Sequence, residues 1–389
     1  MQEQQITSKS PYRPAVAMFA VGWGANMFAP MLLVYAKVLS GTAIAVVFAA
    51  YWLGLFPSLL FGARLSDRWG RRNLMRAVIL VSIVGSGVLL FAGSSFGLLA
   101  LGRVIVGLAA GAAFGPGTVW LSELNDRSGS RRSAPILTAV ALTSGFALGP
   151  LVSGGLAQWL ILPAALPYLV HIGLMLCVAP IVWSAPETAP RTSAKNRPTI
   201  GAALRNPLFL RLVLPTAPWV FGSIAAAIVV LPQTADLGEA GIAATGAVAA
   251  LTLLSGVLVQ PVASRLALRQ GLGTAFVGGL VLLCLGMIAG AGMEFTRYTP
   301  LLFPAAVLLG CAYGFLLTAG LRAIPLIARI EDRSLLTGIF YVLAYSGFFW
   351  PILVNVLAPA IPKTAMFALS AAVGLATVGS VAKIGGSQR

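Results

Sequence analysis

Apolar runs of about twenty residues, almost free of charge, recur along the whole of this chain. That recurrence constrains the fold more than any other feature. A run of this length crosses the roughly 30 Å hydrocarbon layer of a bilayer as one α-helix. Within that layer every backbone polar group must find an internal partner, so only helices and closed barrels can span it. The runs are continuous and rich in Leu, Ala and Gly rather than alternating, so helices are expected and barrel strands are not. Charged residues make up only 9% of the 389, and hydrophobic ones 58%. A soluble surface cannot be covered with so few charges, which excludes a soluble enzyme and an extended disordered chain.

Twelve spans are expected, at 14–36, 42–63, 74–93, 97–121, 134–157, 162–183, 208–232, 241–262, 272–293, 300–321, 335–358 and 363–382. The longest polar interval divides them into two sets of six. This predicts an N-terminal six-helix bundle over 1–184, a central loop over 185–207 and a C-terminal six-helix bundle over 208–389. The fold class is thus an all-α membrane protein of twelve transmembrane helices in two pseudo-symmetric bundles.

The 26 basic residues against 10 acidic ones would suggest nucleic acid in a soluble domain. Here they fall in short connections, and topology is the better reason. Most lie on one side, including Arg64, Arg68, Arg71, Arg72 and Arg76 between spans 2 and 3, and Arg191, Lys195 and Arg197 in the central loop. Only Lys37, Arg297 and Lys363 fall on the other, and Arg103 lies inside a span. The bias predicts a multi-pass protein of the inner (plasma) membrane with both termini cytoplasmic, and no nucleic-acid partner. The first ten residues are polar, so a cleaved signal peptide is not expected. Cys177, Cys284 and Cys311 stand singly in apolar runs, so neither a metal site nor a disulfide framework is expected, and no cofactor.

A weak internal repeat runs through the chain. Arg64-Leu-Ser-Asp-Arg68 after span 2 is echoed by Arg265-Leu-Ala-Leu-Arg269 after span 8. Gly111-Ala-Ala-Phe-Gly115 in span 4 is echoed by Gly310-Cys-Ala-Tyr-Gly314 in span 10. The offsets are 201 and 199 residues, as two equivalent halves would leave.

Between spans 2 and 3 the sequence reads Gly62-Ala-Arg-Leu-Ser-Asp67-Arg68-Trp-Gly70-Arg71-Arg72. This resembles the signature loop of the major facilitator superfamily. Arg103-x3-Gly107 resembles the family's span-4 arginine motif, with Val106 where Gln is usual. Gly145-x3-Gly149-Pro150, followed by Ser153-Gly154-Gly155, is similar to the antiporter motif of its efflux branches, with Ser153 where Gly is usual. Pro186-Glu187-Thr188 after span 6 also resembles the family. The bacterial twelve-span drug and metabolite exporters are most similar in kind.

The resemblance implies a monomeric secondary transporter working by alternating access on a small-molecule substrate, with export and proton exchange as the expected mode. An importer or passive facilitator on the same fold is the alternative. It also implies conformational gating by Gly62, Asp67, Arg68, Gly70 and Arg71, and by Gly145, Gly149 and Pro150. Taken by themselves, Gly62 permits close helix approach. Asp67 is placed either to cap the start of helix 3 or to pair with an arginine. The Gly145–Gly155 run serves ordinary small-residue packing equally well.

Arg103 is the one charge well inside a span, with no Asp or Glu at comparable depth. It needs a backbone carbonyl, water, an amide or a substrate, or else it snorkels to the outer interface. Asn26 stands mid-span in Gly24-Ala-Asn-Met-Phe-Ala-Pro30, where the resembled proton-coupled exporters often carry a carboxylate. An amide cannot titrate. A site with Arg103 and no acid favours neutral or anionic compounds over lipophilic cations. His171, the sole histidine, is the candidate proton carrier or else a packing residue. Trp219 and Tyr313 lie near the centres of spans 7 and 10, which the resemblance places with Asn26 and Arg103 on the substrate pathway. Membrane lipid is the remaining expected partner. With one His, isolated cysteines and no intramembrane acid, no catalytic constellation exists, so the chain is not expected to be an enzyme.

Overall fold

The computed structural model describes residues 10–128, 134–188, 201–329 and 332–385. Among them there is no β-strand. Twelve helices are long and apolar enough to cross a membrane. They are α1 Tyr12–Tyr35, α2 Gly41–Trp69, α3 Arg71–Leu90, α4 Phe96–Arg127, α5 Ile136–Trp159 and α6 Leu166–Trp183, then α7 Phe209–Thr234, α8 Gly238–Gln270, α9 Leu272–Thr296, α10 Thr299–Ile327, α11 Leu335–Leu357 and α12 Lys363–Val381. Large apolar side chains such as Phe61, Leu80, Val140 and Leu258 are exposed on their outer faces, as lipid contact requires.

The chain forms two compact units, Met1–Lys195 with α1–α6 and Asn196–Arg389 with α7–α12. The expected central loop straddles this division. Its residues 189–200, with Arg191, Lys195 and Arg197, lie outside the described residues, as do Arg131 and Arg132. Its first part is no free loop: Ala185 and Thr188 are buried in unit 1.

Several helices outrun their apolar stretch. α2 continues to Trp69, so Arg64, Asp67 and Arg68 are helical, and the expected 2–3 loop shrinks to Gly70 at φ +95°. Hydropathy marks where the membrane ends, whereas hydrogen bonding carries the helix further. Only glycine takes that φ without strain, which makes a one-residue turn possible. Unit 2 repeats the device: Gly271, at φ +94°, alone separates α8 from α9.

Within unit 1, α2 and α4 meet backbone to backbone. A Cβ on Gly107 would run into the Tyr51 carbonyl and lie 2.9 Å from the Leu55 nitrogen. One on Gly111 would lie 2.8 Å from the Leu55 carbonyl. Gly62 is not part of this seam, for its added Cβ would come no closer than 3.5 Å, to Ala112. Close approach therefore falls at Gly107 and Gly111 rather than at the motif glycine.

Within unit 2, α8 and α10 meet alike, Gly310 against Thr252 and Gly314 against Gly256. The residues met, Tyr51 and Thr252, keep the offset of 201, but Gly107 to Gly310 is 203. The pairing of Gly111 with Gly310 is thus one helical turn out of register. Three glycines spaced by four (107, 111 and 115) leave that register open in sequence.

Candidate functional site

Helix α1 is interrupted. Pro30 has no N–H, so the carbonyl of Asn26 four residues earlier lacks its helical donor. The helix divides at Met27 into Tyr12–Asn26 and Phe28–Tyr35. Side chains from three other helices of unit 1 grip α1 near this break. Arg103 of α4 donates through Nη1 to the Ala25 carbonyl at 3.3 Å. Ser153 of α5 donates to the Met27 carbonyl at 2.9 Å. His171 of α6 donates through Nε2 to the Ala20 carbonyl at 3.1 Å. A carbonyl only accepts, so Nε2 carries the proton, and in the neutral ring Nδ1 accepts from the Ser86 hydroxyl at 2.7 Å. His171 is fully buried and both its nitrogens are occupied.

Among the described residues, no carboxylate pairs with Arg103. Its guanidinium carbon lies 4.6 Å from the ring centre of Phe28, 4.6 Å from Tyr51 and 5.8 Å from Phe48. Aromatic faces present negative charge, so the three rings supply what a counter-ion would. The residue is 2% exposed, which is too enclosed for a side chain reaching the headgroups. Its Nε has no hydrogen-bond partner among the described residues. Tyr35 and Tyr168 share a hydrogen bond of 3.0 Å in the same unit. Asn26 turns back on its own helix, donating to the Gly22 carbonyl at 3.3 Å.

The second cluster surrounds the Gly70 turn. Glu187, not Asp67, caps α3. Its carboxylate accepts from the Arg71 N–H at 2.8 Å and the Arg72 N–H at 3.1 Å. Asp67 lies inside α2, one turn before the cap, and pairs with Arg71 at 2.6 Å. Arg71 also reaches Glu123 of α4 at 3.4 Å, and Glu123 accepts from the Thr188 hydroxyl. The backbone leaving α6 is held at successive carbonyls. Arg76 donates to Trp183, Arg13 to Ser184, Arg72 to Ala185, and the Trp120 indole to Pro186. Arg127 then donates to Thr188 at 2.8 Å. These donors from α3, α4 and the start of α1 tie down the chain end leaving α6.

The antiporter-like glycines of α5 meet α1. A Cβ on Gly145 would collide with the Phe19 carbonyl, and one on Gly149 would lie 2.6 Å from the Trp23 carbonyl. Pro150 sits within an unbroken α5. In unit 2, Tyr313 joins an aromatic group with Phe221 of α7 and Tyr345 and Phe348 of α11. Trp219 is half-buried and takes no part in it.

The sequence offered no sign that Phe28, Phe48 and Tyr51 share one cation. Phe48 and Tyr51 lie three apart on α2, a spacing that puts them on one face, but only the fold brings Phe28 to them. Glu187 stood in a quoted motif, yet its partner lies 116 residues away.

The sequence model of the Major Facilitator Superfamily matches residues 15–238, more than half of the chain. The quinolone resistance protein NorA of Staphylococcus aureus is 28% identical over 143 residues, 36% of each chain. The glucose transporter GlcP of Staphylococcus epidermidis is 29% identical over 164 residues, 41% of this chain and 34% of that one. These matches span about a third of the relatives' length. Among solved structures, a peptide transporter POT in complex with sulfate superposes with a TM-score of 0.81 at 14% identity, covering 99% of both chains. The nucleoside transporter NupG gives 0.74 at 12%, covering 96% of this chain and 99% of that one. The twelve helices found among the described residues, the signature turn at Gly70 and the family match together make this chain a member of the major facilitator superfamily.

Proposed function

We propose that the protein exports a small amphipathic compound, neutral or anionic, by alternating access and in exchange for protons. The observation that carries this reading is Arg103, a buried cation balanced by aromatic rings and a carbonyl with no acid at its depth. A fixed positive charge of that kind repels lipophilic cations and tolerates neutral or negative molecules. Asn26, Arg103, Trp219 and Tyr313 are assigned to substrate contact, and His171 is the titrating candidate. The protein sits in the plasma membrane with both termini in the cytoplasm, as its Lys and Arg bias favours. Similarity to a quinolone resistance protein supports export. Similarity to a glucose transporter supports a second reading, import or facilitated passage of a small metabolite.

Flux in proteoliposomes tests both. Vesicles are loaded with a quinolone or with glucose, and release is followed with and without an imposed pH gradient. Gradient-driven release of the quinolone is expected, falling at least about tenfold in Arg103→Ala, since the variant loses the donor to the Ala25 carbonyl and leaves a cavity among Phe28, Phe48 and Tyr51. His171→Ala is expected to release quinolone without response to the gradient. Wild-type flux indifferent to the gradient sinks proton exchange; glucose moving while the quinolone does not favours the second reading.

A further inference from the structure

Helices α7, α10 and α11 carry no Asp, Glu, Lys, Arg or His across 212–234, 299–321 and 335–357. Within this uncharged part of unit 2 lies a group of aromatic rings. Phe221 and Tyr345 stack in parallel, 3.7 Å between centres at 12°. Tyr313 stands 5.5 Å from Phe221, Phe348 meets both stacked rings edge-on, and Tyr341 lies 6.4 Å from Tyr345. Gly347 of α11 approaches Gly222 of α7 so closely that an added Cβ would lie 2.8 Å from the Gly222 Cα, which draws the two helices and their rings together.

Two phenols in this group pack by their rings alone, with no hydrogen bond from the hydroxyl to a described residue. Tyr313 is 5% exposed, and its hydroxyl makes no hydrogen bond with any described residue. The hydroxyl of Tyr341 is likewise without a partner among the described residues. Tyr341 is half-buried, and both hydroxyls keep some accessible surface. Each can therefore donate to a molecule seated against the rings. In unit 1 the buried phenols of Tyr35 and Tyr168 instead hydrogen-bond each other. A donor within reach that the described residues do not use is open to an acceptor arriving with a ligand.

We infer that Tyr313 and Tyr341 form, with the Phe221–Tyr345 stack, a recognition site for uncharged planar aromatic compounds bearing an acceptor oxygen. The rings offer π-faces to the flat body, and the two phenols donate to its carbonyl or ether oxygen. With no charge on these three helices at this depth, neither a cation nor an anion is balanced here, so a neutral molecule fits best. This narrows the substrate class of the transport reading and rests on it for the link to flux, whereas binding itself does not depend on it.

The test is binding to the purified full-length protein in detergent, by equilibrium dialysis against detergent-matched buffer. Three probes share one ring system: naphthalene, 2-acetylnaphthalene and 2-naphthylmethylammonium. The ketone is expected to bind at least about fivefold more tightly than naphthalene, the hydrogen bonds making the difference. Tyr313→Phe and Tyr341→Phe each keep the ring and are expected to reduce that preference about 3–10-fold, while Tyr298→Phe, in an exposed connection, leaves it unchanged. Equal affinity for ketone and naphthalene overturns the inference. So does a preference that survives the double Phe variant, or tighter binding of the ammonium. Ketone binding that depends on the phenols without any vesicle flux would sink the transport reading and leave this site standing.

Discussion

Gly107→Ala is expected to remove nearly all folded protein from the membrane fraction, whereas Gly62→Ala, 45 residues earlier on the facing helix, leaves the yield within about twofold of wild type. The contrast follows from what a single methyl group meets. At Gly107 it meets main chain: the Tyr51 carbonyl, and the Leu55 nitrogen at 2.9 Å. A side chain can rotate away, but main chain in the middle of a helix can move only if the whole helix moves. α2 and α4 would have to part along their length, losing the contacts of the seam between them. Overpacking of a core commonly costs about 1–3 kcal/mol, and more where backbone must shift, against a total stability of about 5–15 kcal/mol. At Gly62 the methyl group arrives 3.5 Å from Ala112, ordinary contact distance. Fluorescence size-exclusion of detergent extracts reads both outcomes. Equal recovery of the two variants would mean that the seam is not the support of unit 1.

Glu187→Gln is expected to be nearly as damaging as Glu187→Ala. The carboxylate accepts two N–H groups at the start of α3, one on each oxygen, and Oε1 also accepts from Thr188 N–H at 3.0 Å. An amide supplies one oxygen and one NH₂. Whichever way it is turned, a donor then faces a donor. The charge is lost too, and with it the attraction to the positive end of the helix dipole. Removal of a helix cap costs about 0.5–2 kcal/mol, and hydrogen bonds to a charged group about 1.5–3 each, so the pair is worth roughly 3 kcal/mol. Unfolding of the purified variants in detergent should therefore begin several degrees lower for both. Asp67→Asn, by contrast, removes one partner of a half-exposed pair and is expected to change the melting temperature little. A Gln variant that melts like wild type would show that charge and cap geometry at this turn are dispensable.

The spans were legible because lipid imposes one solution on a run of twenty apolar residues. Arg64 and Arg265 announced the repeat for a similar reason, since two copies of one helix pair need basic ends in the same places; the glycine echo showed the repeat too, but one turn out of register. What sequence misplaced were relations decided by tertiary structure. Asp67 pairs with Arg71, one of its two expected roles, but the acid that caps α3 comes from beyond α6. Gly62 was the glycine in the signature, but the tight crossing lies at Gly107. Arg103 was visible as a charge wanting a partner, yet aromatic residues are so common in apolar helices that nothing singled out Phe28, Phe48 and Tyr51. Met27 was hidden too, since a proline within a membrane helix does not say where the chain will yield.

The turn glycines Gly70 and Gly271 share one backbone conformation, but only the first has a carboxylate seated against it. Around Gly271 an added Cβ would meet nothing within 4 Å, so no carboxylate of a described residue is seated against that turn. One polypeptide thus contains a wired and an unwired copy of the same corner. Amide exchange in the first turns of α3 and α9 can be compared within a single sample, under one solvent and one temperature. Slower exchange at Arg71 and Arg72 than at Leu272 and Gly273 would measure what the carboxylate is worth, with the molecule serving as its own reference.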